Sequence, residues 1–213
     1  MVYADRDRYV EWALALSVCA AAVANHCDHA EHNEHVDVAW VLHSAEQLRS
    51  VACAVATAEG LDLWALYAAR LRTIEARNPH WTPRTLDGGA LVEASATWRD
   101  LQLAQGQHDR YYHPDVSGLT KMDQLRHYAL HVAKLVGAVA EVAQGVADRR
   151  DFQARRLPDL LLFGLKLSTV CGERLPETVL APDVRPALPS SRRHRVRGGE
   201  PVSDAPLRRV EQR

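Results

Sequence analysis

The sequence predicts an all-α fold, and three observations carry that prediction. Ala, Leu, Val and Arg dominate a chain of 213 residues that is 47% apolar, a composition suited to helices. Apolar residues recur at helical spacing in successive stretches, while no segment alternates as a strand does and no Asn-Gly hairpin signal occurs. Cap and turn residues fall between those stretches. The expected architecture is a helical bundle of about six helices. An N-terminal half over 1–85 carries a C-terminal half over 86–182 packed on it, and a disordered basic tail follows over 183–213.

A first helix is expected over about 7–25, opened by Asp5 or Asp7 and nearly free of polar groups from 13 to 24, hence buried on most faces. The second starts near Glu34. Val41, Ala45, Leu48, Ala52 and Val55 form its inner row, Glu46 and Arg49 look outward, and Gly60 ends it. The third runs from Asp62 to about Arg77 with Trp64, Tyr67, Leu71 and Ile74 inward, and Asn78-Pro79 stops it. A fourth is expected over about 90–111, and His113-Pro114-Asp115 breaks it. The fifth opens at Thr120, with Asp123 completing a variant capping box, and continues to about 147. The sixth spans 157–170, with Pro158 in its first turn and Gly172 after its end.

A net charge of −1 makes no electrostatic case for nucleic acid. The balance is uneven: eight Arg against four acids from Asp183 onward give the tail +4 and leave −5 for the body. Cys19, Cys27, Cys53 and Cys171 form no CxxC pair and read as free thiols of a reducing compartment. Asp5, Asp7 and Glu11 cancel the basic charge an export signal needs ahead of the apolar run 12–24, and no stretch reaches the ~20 apolar residues of a membrane span, so a cytoplasmic protein is expected.

The densest chemistry lies in 26–43. His26, His29, His32 and His35 recur every third residue, interleaved with Asp28, Glu31, Glu34 and Asp37. Three-residue steps drift around a helix axis, so four such histidines do not converge on one ion; a solvated polar connector and a metal site are the two readings. Glu34 and Asp37 are either an acidic first turn matched to the helix dipole or two ligands of a cation that Glu31 would join. His127 and His131 form an i, i+4 pair extended by Lys134, open to three readings: a surface stripe, a phosphate contact through His131 and Lys134, or zinc without the HExxH glutamate. The run Arg192-Arg193-His194-Arg195-Val196-Arg197 is either solvated or a contact for nucleic acid or an acidic protein. Phosphate-loop, dinucleotide and nucleophile-elbow motifs are missing.

Glu34-His35-Val36-Asp37 before an apolar helix resembles the ExxD element of the MazG-like all-α nucleoside triphosphate pyrophosphohydrolases. Leu61-Asp62-Leu63, leading through Arg70-Leu71-Arg72 to Arg77, is similar to that family's third helix and its basic end. A fainter second copy spans 120–172, where Asp159 takes the place of Asp37. The internal echo that aligns Asp37 with Asp159 suggests two helical hairpins in a pseudo-symmetric core, and the resemblance implies Mg²⁺ held by carboxylates to activate water against the α–β phosphate linkage of a nucleoside triphosphate. The departures are specific: residues 17–24 hold no acid where the family has ExxE, and Arg156 replaces the partner of Asp159. Only Glu34 and Asp37 carry over, with Asp159 as a remnant and Glu31 as a further candidate metal ligand; Arg70, Arg72, Lys134 and His131 are the candidate phosphate contacts. The expected function is nucleotide binding by a homo-oligomer whose Mg²⁺-dependent pyrophosphohydrolase activity is weak or lost. The competing reading is a non-enzymatic helical module acting through dimerisation and its basic tail.

Overall fold

The computed structural model describes residues 3–32, 37–77 and 86–179. Glu34, His35 and the basic tail lie outside the described residues. Regular structure within them is helical, apart from one isolated antiparallel bridge between Thr97 and Val179.

Helix α1 (Tyr3–Glu31) is longer than its apolar run. It buries Tyr9, Trp12, Leu16, Cys19 and Val23, which share one face at three- and four-residue spacing. The helix continues through half of the histidine series because no Gly or Pro interrupts it. Asp28, His29 and Glu31 simply face solvent there, while His26 and Cys27 turn inward. α1 is also long and apolar enough to cross a membrane by length and composition; here its inner face lies against α2 and α7.

Helix α2 (Ala39–Glu59) starts later than Glu34, and Asp37 stands outside it, accepting a hydrogen bond from Ala39 N–H at 2.8 Å. All five residues of its expected inner row are fully buried. Arg49 is a correction: it points inward, not outward, donating to Ser168 Oγ and to the Gly164 carbonyl at 3.3 Å. Gly60 closes α2 at φ 65°, a left-handed conformation that glycine adopts without a Cβ clash. Asp62 then caps α3 (Leu63–Arg77), accepting from Trp64 and Ala65 N–H at 3.0 Å.

The single helix expected over 90–111 is two. α4 (Gly88–Glu93) ends before Ser95, and α5 (Trp98–Tyr112) begins at a capping box in which Thr97 and Asp100 satisfy each other's backbone N–H groups. A short α6 (Pro114–Ser117) follows. α7 (Lys121–Gln144) opens at Thr120 with Asp123 as its partner, as the sequence indicates. Next come α8 (Arg149–Asp151), a π-helical turn (Phe152–Arg156) and α9 (Leu157–Val170). Pro158 has no N–H and would crowd the carbonyl four residues back, so a widened turn ahead of α9 relieves both problems.

The bundle centre is α1 against α7 and α2, and α9 against α2 and α7, with α3 and α5 leaning on α9. One hydrophobic cluster runs through all of them, from Tyr9 to Leu175, so the two halves share a core. α9 is buried around nearly its whole circumference, including Asp159 and Lys166. That burial creates the site described next.

Candidate anion-binding cleft

Charged side chains are rarely buried unless paired. Two charges on α9 obey that rule by facing the same seam, between α9, α3, α5 and α7. Arg70 of α3 grips Asp159 with both nitrogens, Nε to Oδ1 at 2.7 Å and Nη2 to Oδ2 at 3.0 Å. Lys166 Nζ lies 2.7 Å from Asp109 Oδ1 and sits over the rings of Tyr128 and Phe163. Asp109 is fixed in turn by Gln105, whose Nε2 donates to it at 2.8 Å, and Gln105 accepts from the buried Tyr67 hydroxyl.

These pairs floor a cleft of about 240 Å³. Lys134 of α7 and Arg156 at the end of the π turn complete its cations, and four histidines line it: His108, His113, His127 and His131. Ile74, Val116, Leu162 and Phe163 supply an apolar wall. Among the described residues neither Lys134 nor Arg156 has an ion-pair partner. His131 stacks on Phe163 at 4.6 Å and 19°, which sets its ring plane, and lies 4.7 Å from His127.

The histidines are held neutral. Burial pushes His108 down to about 4, and burial with the neighbouring His127 and Lys134 does the same to His131. His113 and His127 are lowered too, first by burial and then by Lys166. His108 is fully buried, and neither ring nitrogen has a hydrogen-bond partner. Its Nε2 is 3.5 Å from Glu75 Oε1, but a neutral ring makes no ion pair, and that oxygen already accepts from Gly88 N–H at 2.7 Å. An unsatisfied buried donor costs roughly 1–3 kcal/mol, so the ring is a group with unused hydrogen-bonding capacity beside a cleft.

Three members of the expected phosphate set, Arg70, His131 and Lys134, line this cleft together. Arg72 does not. Residues two apart on a helix face different ways, and Arg72 is held at the surface by Asp87 at 3.3 Å and by both oxygens of Glu93 at 2.7 and 2.8 Å. The described members of the expected metal set stand apart. Asp37 caps α2, Glu31 meets Arg126 at 2.8 Å, and Asp159 is clasped by Arg70. Among the described residues no group of three or more His, Cys, Asp or Glu side chains is placed to hold a metal ion.

The sequence reading misses His108, Asp109 and Lys166, and takes Arg156 and His113 only as a lost motif position and a helix break. One signal was present: Lys166 is the lone charge within the apolar run 160–167, and a charge there demands a partner. No known protein family matches the chain, and neither a curated protein nor a solved structure is significantly similar to it.

Proposed function

We propose that this protein is a nucleotide-binding, MazG-like helical protein that holds its ligand by the phosphates in the α3–α5–α7–α9 cleft, with pyrophosphohydrolase activity weak or absent. The observation that carries the reading is the charge of the cleft. Four cations converge there, the two carboxylates present are neutralised by Arg70 and Lys166, and Lys134 and Arg156 remain for a ligand. An Arg and a Lys of this kind are suited to phosphate oxygens. The packing of α1 on α7 and of α2 on α9 supports two hairpins related by pseudo-symmetry. Any Mg²⁺ in the reaction would arrive with the triphosphate, because Asp37, Glu31 and Asp159 are engaged elsewhere.

The test is calorimetry of the full chain with a panel of NTPs and dNTPs, with and without Mg²⁺, beside an assay for released pyrophosphate. Micromolar binding that weakens at least about tenfold in Lys134→Ala and Arg156→Ala is the expected result, a loss in keeping with charge-assisted phosphate contacts. Binding unaffected by both substitutions overturns it. Pyrophosphate release that disappears in Glu34→Gln and Asp37→Asn would restore the metal-dependent activity.

A second reading, a homo-oligomeric interaction module, has its own support. Val10, Leu14 and Val18 form an exposed apolar row on α1, and Trp40 of α2 is exposed as well. Analytical ultracentrifugation of wild type and Leu14→Lys decides it: a dimer that dissociates on substitution supports the module, and a monomeric wild type removes it.

A further inference from the structure

We propose that the cleft selects phosphate monoesters in their dianionic form, discriminating against phosphodiesters and carboxylates. The inference rests on the phosphate-binding reading above and adds to it the class of phosphate.

Charge balance comes first. Arg70, Lys134, Arg156 and Lys166 contribute four positive charges and Asp109 and Asp159 two negative, so the lining side chains carry a net +2, with Asp115 acting on His113 and His127 from beyond them. The excess is localised: Arg70 and Lys166 are cancelled by their partners at 2.7 Å, which leaves one charge each on Lys134 and Arg156. At neutral pH a phosphate monoester carries about −1.5 to −2. A diester or a carboxylate carries one negative charge and pairs with only one of those two cations.

The histidines determine whether +2 holds. Protonated, four rings would overcharge the cleft and favour polyanions of any kind. Burial and the cations around them keep the rings neutral, so they add no charge, and His127 and His131 offer N–H donors at the cleft. His108 lines the same cleft, wholly enclosed, with neither ring nitrogen hydrogen-bonded. The three terminal oxygens of a monoester supply more acceptor positions than the two of a diester.

Size agrees. A cleft of about 240 Å³ falls below the ~300–1,000 Å³ of sites that enclose whole drug-sized ligands. A phosphate and the first carbons attached to it would fit there, with Ile74, Leu162 and Phe163 as the apolar wall.

The experiment compares a nucleoside 5′-monophosphate with its phosphate methyl ester, which has the same base and sugar but one negative charge fewer. Both are titrated calorimetrically into the full-length protein at pH 7.5, with inorganic phosphate and acetate as further probes. The monophosphate should bind at least about tenfold more tightly than the ester, and inorganic phosphate should compete while acetate does not. Lys134→Met and Arg156→Met should each shrink that ratio toward one; circular dichroism verifies their fold, and Lys134, at the exposed rim, is the safer variant. Equal affinity for monophosphate and ester overturns the selectivity while leaving phosphate binding intact. No binding of monophosphate, triphosphate or inorganic phosphate overturns both.

Discussion

Each buried polar side chain at the cleft is held by a different force, and the forces separate experimentally. His108 is depressed to about 4 by burial, against 6.5 for an exposed ring. Between those values the unfolded chain binds the proton and the folded chain does not, so stability is greatest above about pH 6.5 and falls as pH drops toward 4. Two and a half decades of pH correspond to on the order of 3 kcal/mol for this one ring. Urea midpoints between pH 7.5 and 4 should decline steeply in wild type and less steeply in His108→Asn; parallel slopes would exclude His108 as the source. Asp159 behaves differently. It is 5% exposed and clasped by Arg70, so Asp159→Asn strands a cation in the seam and should cost about 3 kcal/mol in chemical denaturation. Replacing both, as Arg70→Met with Asp159→Leu, removes the unmatched charge and should cost less than Asp159→Asn alone.

At the scale of elements, the approach of α2 to α9 is set by an absence. A Cβ on Gly164 would lie 2.7 Å from Arg49 Cγ and 2.9 Å from the Ala45 carbonyl, so no side chain fits without parting the helices. The same close approach lets Arg49 donate to the Gly164 carbonyl. Gly137, within α7, has nothing within 4 Å of the corresponding position. Alanine should therefore act with opposite sign at the two sites: Gly164→Ala should destabilise by about 1–3 kcal/mol through overpacking, whereas Gly137→Ala should stabilise by roughly 0.5–1 kcal/mol through helix propensity. Thermal melts of the two variants beside wild type give both signs directly. Local chemistry also explains the split between α4 and α5. Thr97 and Asp100 form a complete capping box, where Thr120 only accepts from Asp123 N–H, but it lies inside a run whose apolar spacing continues across the break. Spacing alone reads that run as one helix; the cap decides for two.

For the whole molecule, the cleft matters because it gathers residues from four helices that are distant in sequence. Arg70 and Asp159 are 89 positions apart, and the Lys166–Asp109 pair ties α9 to α5. A ligand seated there would bridge α3, α5, α7 and α9 and stabilise the fold by mass action, by about 2.7 kcal/mol at a hundredfold excess over Kd. A nucleotide that binds should therefore raise the melting temperature of wild type and leave Lys134→Ala with Arg156→Ala unmoved; equal shifts in both would place binding elsewhere.

Class, caps and inner rows were legible in the chain because they depend on neighbours within one helical turn. Composition gives the all-α class, the row Val41, Ala45, Leu48, Ala52 and Val55 is buried as its spacing requires, and Gly60, Asp62 and Thr120 end or start helices by chemistry local to each. Part of the cleft was legible too, since His127, His131 and Lys134 share one face of α7. Tertiary structure alone decided the rest. Whether Arg49 turns inward, whether Arg70 rather than Arg72 reaches α9, and whether Asp159 meets a guanidinium all depend on which helices become neighbours. The charge of a site is a sum over side chains brought together from separate helices, and helical periodicity gives the face on which each one lies without naming the partner it will meet.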